Sequence, residues 1–357
     1  MELLVGTYSQ PLAGMAGNGE GIHGVSFDPR TGAFGTPHLL AQCVNPSSLA
    51  LTPDGRTVFA GREVFASDGP ALLSFGTGPD AALTGISRVA LSGELPCHLA
   101  FDPVHGRLAS AQYWTGDVAV CTVVDGILQA PPTYLVREGS GPNAARQEGP
   151  HAHCVAFSDD GEVLHLVDLG TDCIVSHRLD SENRAVETTA LQLPAGCGPR
   201  HMVMTGDRTR AFVLCELDES LAALTRAGLG WKVASIQAGF VAPDDEDGAG
   251  AAIRLSPDER HLYLSGRRQS AIAGFGVANA PVPLGEIDSS GLSPRDFILT
   301  SDAAWVIAAN QNSNLLASFS RDPESGLLTA SGHVCAIGSP VALVEWSSGK
   351  QQRAVAG

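Results

Sequence analysis

An apolar strand, a tight turn and a second apolar strand recur seven times along the chain, and this repeat constrains the fold more than any other feature. A four-stranded propeller blade occupies roughly 40–50 residues. Equivalent apolar positions of the repeat recur at a similar spacing, and they are Leu49, Leu99, Val155, Met202, Ile253, Phe297 and Leu343. The repeat therefore predicts an all-β fold, a seven-bladed β-propeller of four-stranded antiparallel blades.

The two ends of the chain carry partial copies of the repeat. The seventh copy begins with PVALVEW at Pro340 and then stops, whereas LLVGTY near the N-terminus resembles a second strand and GIHGVSFDP a third. Joining these strands in one blade would close the ring and leave no exposed sheet edge. We expect a single propeller domain over residues 1–346 and a C-terminal tail over residues 347–357.

Charge and hydropathy exclude several classes of partner. Lys+Arg 22 against Asp+Glu 38 gives a formal net charge of −16, which disfavours nucleic acid and anionic membranes. The N-terminus lacks the basic start of a signal peptide, and no apolar stretch approaches the roughly 18–20 residues of a membrane span. The 8 cysteines are scattered and form no CxxC pair, as is usual for reduced thiols. We expect a cytoplasmic protein. The sequence does not determine its oligomeric state, and a monomer is one of the alternatives.

The geometry of the repeated hairpins predicts where a functional site lies. Each first strand begins, and each second strand ends, on the side opposite the turn. If the first strands are innermost, these ends surround one mouth of the central channel. The polar residues placed at this mouth are Glu63, His98, His151, His153, Asp168, Arg200, His201, Glu216, Arg267, Arg295 and Gln311. Arg146 belongs to the long polar loop Gly139–His153, which could cover the mouth.

These residue types favour acid–base chemistry on a small anionic ligand. Guanidinium groups bind carboxylate or phosphate well, although the charges could instead pair with each other as a structural ring. His151 and His153 give only a weak metal signal, because no third ligand follows at a fixed spacing, so no metal is predicted. Glu216 or a neutral His153 could activate water while an arginine stabilises the oxyanion of an opening lactone. The same groups would serve a cycloisomerase that closes a lactone, and a binding propeller without catalysis stays open.

Several strings along the repeats resemble one known family. GPNAARQEGPHAH, GPRHM, CEL, SGR, SPRDF and ANQ, in this order, are similar to the lactonase family of seven-bladed β-propellers, which includes bacterial 6-phosphogluconolactonase and fungal carboxymuconate lactonising enzyme. The resemblance implies a catalytic set, and its members here are His151 or His153, Arg200, Glu216 and Arg267. The expected substrate-binding residues are Glu63, His98, Arg146, Asp168, His201, Arg295 and Gln311.

The resemblance also implies a reaction. It is the hydrolysis of 6-phospho-D-glucono-1,5-lactone to 6-phosphogluconate in the pentose phosphate pathway, without a cofactor. Arg200, Arg267 and Arg295 would hold the phosphate and polarise the carbonyl, with Glu216 or a histidine as the base. The alternatives are a carboxymuconate-type cycloisomerase, a lactonase for another sugar acid, and a non-catalytic binding propeller.

Overall fold

A computed structural model describes residues 1–78, 82–242 and 248–346 of the chain. The described residues form seven separate antiparallel sheets, each of four or five strands. The predicted tail over residues 347–357 lies outside the described residues. The described part of the chain has no helix long and apolar enough to cross a lipid bilayer.

Six sheets are each built from one continuous stretch of chain, and we number them blades 1 to 6. Blade 1 comprises β5 (Pro46–Leu51), β6 (Thr57–Arg62), β7 (Ala71–Thr77) and β8 (Leu83–Ala90), with a short 3-10 helix at Ala66–Asp68. Blade 2 comprises β9 (Pro96–Asp102), β10 (Arg107–Gln112), β11 (Val118–Val124), β12 (Ile127–Leu128) and β13 (Thr133–Leu135). Blade 3 comprises β14 (Ala152–Phe157), β15 (Val163–Asp168), β16 (Cys173–Leu179) and β17 (Ala185–Gln192).

The other three continuous blades repeat this order. Blade 4 comprises β18 (Pro199–Met204), β19 (Arg210–Cys215), β20 (Ser220–Ala227) and β21 (Gly230–Ala238). Blade 5 comprises β22 (Gly250–Leu255), β23 (His261–Gly266), β24 (Ala271–Gly276) and β25 (Val282–Asp288). Blade 6 comprises β26 (Pro294–Leu299), β27 (Trp305–Asn310), β28 (Leu315–Arg321) and β29 (Leu328–Ala336), with a short 3-10 helix at Gln311–Ser313.

The seventh sheet joins the two ends of the chain, as the partial repeats predict. It contains β1 (Glu2–Thr7), β2 (Gly21–Asp28), β3 (Ala33–Phe34), β4 (His38–Gln42) and the last strand, β30 (Pro340–Trp346). Strand β1 pairs antiparallel with β30, with Val5 opposite Leu343. This shared blade closes the ring, and the predicted seven-bladed propeller is confirmed.

The first strand of each repeat is the innermost strand. β5, β9, β14, β18, β22, β26 and β30 contact one another in turn around the ring. Within blade 3, the first four residues of β14 are buried, whereas seven of the eight residues of the outermost strand β17 are exposed. The innermost strands therefore line the central channel, and their N-terminal ends meet at one mouth.

The hairpin turns on the opposite face share one hydrogen-bonding device. In blade 1 the Thr52 hydroxyl donates to Asp54, 2.7 Å away, and accepts from the backbone N–H of Thr57 at 3.0 Å. The same Ser/Thr-x-Asp pattern recurs at Ser158–Asp160, Thr205–Asp207, Ser256–Asp258 and Thr300–Asp302. Such side chains stabilise a tight turn by replacing a backbone partner. These polar residues are therefore structural.

Candidate active site

The mouth formed by the strand ends opens into a cavity with two lobes. The enclosed lobe has a volume of about 320 Å³, and the open lobe has a volume of about 560 Å³. Both lobes are bordered by the same five side chains, and these are Met15, Arg146, Glu216, Arg267 and Arg295. Four of these five are charged, so the boundary between the lobes is the most polar part of the cavity.

Glu216 lies at the centre of this boundary and contacts three arginines from different parts of the chain. Its Oε1 atom is 2.6 Å from Nη2 of Arg146 and 3.1 Å from Nη2 of Arg267. Its Oε2 atom is 2.9 Å from Nε of Arg200. Glu216 follows the second strand of blade 4, Arg200 lies in the first strand of that blade, and Arg267 follows the second strand of blade 5. The loop between blades 2 and 3 brings in Arg146, as the sequence suggested it could.

The surrounding charges keep Glu216 ionised. Burial favours the neutral acid, but Arg267, Arg200 and Arg146 hold the pKa of this carboxyl well below its usual range. Burial lowers the pKa of Arg200 to about 10, despite the opposing effect of Glu216. For Arg146, Glu216 and Tyr113 more than offset the effect of burial, so its pKa is raised. One carboxylate thus faces three guanidinium groups, which leaves net positive charge at the boundary.

His153 lies on the wall of the enclosed lobe as a neutral imidazole. It is 5% exposed, and burial together with the charge of Arg200 lowers its pKa well below 6.5. Its Nδ1 atom is 3.9 Å from Sγ of Cys97, and burial raises the pKa of that thiol. A neutral imidazole retains a lone pair that can accept a proton, whereas the protonated thiol of Cys97 is a poor nucleophile.

His151 lines the same lobe but has partners at both ring nitrogens. Nδ1 is 2.8 Å from the carbonyl oxygen of Tyr113, so Nδ1 carries a hydrogen and donates it. Nε2 is 3.3 Å from a carboxylate oxygen of Glu148. The rings of His151 and Tyr113 stack with their centroids 4.6 Å apart. His151 is therefore held in place more firmly than His153.

His98 and His201 lie deeper than predicted. They line a separate cavity of about 90 Å³ in the central channel, and among the described residues neither borders the two lobes. The His201 ring lies 5.4 Å from that of His153 and 5.2 Å from that of His98. Burial lowers the pKa of His98 to about 3. These two histidines are neutral groups of the channel interior, and their role in substrate binding stays a prediction.

Asp168, a predicted substrate-binding residue, is hydrogen-bonded within the fold. It is fully buried and borders neither lobe in the part of the chain that the structure describes. Its carboxylate accepts hydrogen bonds from the backbone N–H of His151 at 2.8 Å, the N–H of Gly170 at 3.1 Å and the hydroxyl of Thr171 at 2.6 Å. Asp168 therefore fixes the chain at His151 from behind the cavity.

We expect Asp168→Ala to destabilise the fold. Three buried donors would lose their acceptor, and each unsatisfied buried group costs ~1–3 kcal/mol, so the free energy of unfolding should fall by at least about 3 kcal/mol. Urea denaturation measures this change. Asp160→Ala, in an exposed turn with similar hydrogen bonds, is the matched control and should cost about 1 kcal/mol or less. Equal losses in the two variants would contradict the structural role of Asp168.

The remaining predicted residues lie at the cavity. Glu63 borders the enclosed lobe, and its Oε2 atom accepts a hydrogen bond of 2.8 Å from the hydroxyl of Tyr8. The guanidinium carbon of Arg295 lies 5.2 Å from the centre of the Tyr8 ring. Gln311 borders the open lobe. Eight of the twelve predicted residues therefore border the two lobes. Arg200 contacts Glu216 but, like His98, His201 and Asp168, is not part of the described lining of either lobe.

Sequence reasoning missed the apolar wall of the enclosed lobe. Leu12, Leu95 and Trp114 line this wall, and the Trp114 ring packs edge-on against Phe65 with centroids 5.6 Å apart. The hairpin rule could have found Tyr8 and Trp114, since each lies just beyond the end of a second strand. Leu12 belongs to the connection between β1 and β2, for which the repeat provides no pattern.

Comparisons with known proteins agree with this architecture. The family model described as "Lactonase, 7-bladed beta-propeller" matches residues 2–345. A 6-phosphogluconolactonase of Bacillus subtilis is 29% identical over 94% of this chain and 96% of its own length. A 6-phosphogluconolactonase of Formosa agariphila is 26% identical over 87% of this chain and 91% of its own length. The solved structure of a periplasmic gluconolactonase from Pseudomonas aeruginosa is 29% identical, covers 97% of this chain and 99% of its own, and superimposes with a TM-score of 0.88. The chain belongs to the lactonase family of seven-bladed β-propellers.

Proposed function

We propose that this protein is a cytoplasmic 6-phosphogluconolactonase that hydrolyses 6-phospho-D-glucono-1,5-lactone to 6-phosphogluconate without a cofactor. The observation that carries the proposal is the boundary between the lobes, where Glu216 contacts three arginines beside the neutral His153. Two relatives named 6-phosphogluconolactonase support the choice of substrate. Eight free cysteines, six of them buried, suit a reducing compartment.

In this proposal His153 is the base and Glu216 is not. Both carboxylate oxygens of Glu216 are paired with arginines, whereas the neutral imidazole of His153 borders the enclosed lobe and has a lone pair that can accept a proton. His153 takes a proton from water as the water oxygen bonds to the lactone carbonyl carbon. Arg146 and Arg267 stabilise the negative charge on the carbonyl oxygen. The tetrahedral intermediate then expels the ring oxygen, which receives the proton from His153, and the new carboxylic acid ionises.

The proposal is tested by measuring the disappearance of the lactone directly. Purified protein is mixed with freshly prepared 6-phospho-D-glucono-1,5-lactone, glucono-1,5-lactone or a carboxymuconate, and spontaneous hydrolysis is subtracted. We expect saturable hydrolysis of the phosphorylated lactone. Conversion of the muconate alone would indicate a cycloisomerase, and conversion of none of the three would indicate a binding propeller; either result would refute the proposal.

The dependence of activity on pH follows from the lowered pKa of His153. The base works only as neutral imidazole, so activity is lost when the pH falls through its pKa. Because that pKa lies well below 6.5, we expect kcat/KM to stay constant from pH 8 down past pH 6.5 and to decline only in more acidic solution. Initial rates in constant-ionic-strength buffers measure this profile. An inflection close to pH 6.5 would indicate a base with an ordinary histidine pKa and contradict the assignment.

A further inference from the structure

Arg295 differs from the other arginines of the cavity because it contacts no carboxylate. Its Nη1 atom lies 3.4 Å from Sδ of Met15, and its guanidinium group stacks on the Tyr8 ring. Among the residues that the structure describes, no carboxylate oxygen lies within 4.0 Å of this guanidinium. A guanidinium has five N–H donors, and a thioether sulfur is a weak acceptor. Arg295 therefore has donors available for a ligand.

The carboxylates around Arg295 already have partners. Glu63 accepts the hydrogen bond from the Tyr8 hydroxyl, and the face of the Tyr8 ring contacts the Arg295 guanidinium. Glu216 is shared among Arg146, Arg200 and Arg267 at distances of 2.6–3.1 Å. The described lining of the cavity thus contains two kinds of cation. Arg146 and Arg267 are paired with Glu216 and Arg268 is paired with Glu219, whereas Arg295 has no carboxylate partner among the described residues.

The two lobes differ in the surfaces that they offer to a substrate. The enclosed lobe combines His151 and His153 with the apolar side chains of Leu12, Leu95 and Trp114, a setting that suits the lactone ring. In the open lobe the described lining includes Ser293, Gln311 and Asn312, and Glu216 is its only carboxylate. Arg295 borders both lobes, so it can reach an anion that extends from a ring in the enclosed lobe into the open lobe.

We propose that Arg295 binds the phosphate group of the substrate at the open lobe and thereby sets the preference for phosphorylated over unphosphorylated lactones. This inference rests on the proposed function. It divides the work between the two kinds of cation: Arg146 and Arg267 face the lactone carbonyl, whereas Arg295 forms charge-assisted hydrogen bonds with a part of the substrate that does not react.

The test compares two substrates on the wild type and three variants. kcat/KM is measured for 6-phosphogluconolactone and glucono-1,5-lactone with the wild type, Arg295→Gln and Arg295→Lys. We expect Arg295→Gln to reduce the ratio of the two kcat/KM values by about 30-fold or more, because a desolvated charge pair is lost only with the phosphorylated substrate. Arg295→Lys keeps the charge without the planar fork, so it should restore part of the ratio. Arg146→Gln is the matched control and should lower both values by similar factors.

Binding of inorganic phosphate gives a second readout that does not depend on turnover. Phosphate should inhibit the wild type competitively, and its inhibition constant should rise at least about tenfold in Arg295→Gln. If Arg295→Gln does not fold, Arg295→Lys replaces it in both measurements. Equal losses for the two lactones, or unchanged inhibition by phosphate, would overturn the role of Arg295. A wild type that hydrolyses neither lactone would instead refute the proposed function.

Discussion

Glu216→Gln is expected to lower kcat by about 100-fold or more, an effect comparable to the loss of an oxyanion-stabilising group. Glutamine keeps the size of the side chain but removes the charge that Arg146, Arg200 and Arg267 share. Without it, three guanidinium groups repel one another across the boundary, and those facing the substrate carbonyl lose their fixed position. Steady-state kinetics with the phosphorylated lactone measure the loss, and KM should also rise.

The same substitution should reduce the free energy of unfolding by ~3–5 kcal/mol, the usual cost of removing one partner of a buried ion pair. The sign of the pH dependence follows from the lowered pKa of Glu216 in the folded state. Its contribution to stability is fully present above the unfolded pKa, near 4.5, and is lost as the pH falls towards the folded value. The difference between wild type and Glu216→Gln should therefore be largest at neutral pH and shrink in acid.

Glu63→Gln is the control for Glu216→Gln. Glu63 is also a buried carboxylate of the cavity, but its side chain accepts a hydrogen bond from Tyr8 instead of pairing with arginines. A glutamine oxygen at this position can still accept that hydrogen bond. We expect a loss of stability of about 1 kcal/mol. If Glu216→Gln kept wild-type kinetics and stability, the three arginines would not depend on this carboxylate for their arrangement.

The sequence predicts the fold and the position of the site, but not the role of each residue in the site, and the reason is physical. Blade packing depends on apolar residues that recur at equivalent positions, such as Leu49 and Leu343. These positions can be identified directly by aligning the seven copies of the repeat. The mouth follows from hairpin geometry, which places Arg200 and Glu216 at adjacent strand ends. Both inferences need only the backbone periodicity of the chain.

The function of each strand-end residue depends on side-chain direction, which periodicity does not specify. Asp168 is the last residue of β15, whereas Glu216 is the first residue after β19, so the two lie one position apart in their repeats. Asp168 accepts backbone hydrogen bonds, whereas Glu216 faces the cavity. His201 follows Arg200 directly, and successive strand residues point in different directions, so only Arg200 reaches Glu216. The position of Arg146 depends on a loop outside the repeat, and the sequence predicts only that it could cover the mouth.

The second large effect is expected for His153→Gln, which should lower kcat by about 10²–10⁴-fold, the usual contribution of a positioned general base. Glutamine is polar and similar in length, but it has no lone pair basic enough to take a proton from water. Because the arginines remain in place, KM should change much less than kcat. His151→Gln is the matched control, since His151 has partners at both ring nitrogens, and its kcat should fall less.

The pH profile separates a lost base from a damaged cavity. If His153 is the base, the residual activity of His153→Gln depends on hydroxide and should rise with pH across the neutral range, where the wild-type rate is constant. A variant that merely distorts the cavity would keep the wild-type profile at a lower rate, and its thermal midpoint would fall. Should His151→Gln lose more activity than His153→Gln and also acquire the hydroxide dependence, the base would be His151. The outcome distinguishes two imidazoles that lie two residues apart on one wall but differ in what occupies their ring nitrogens.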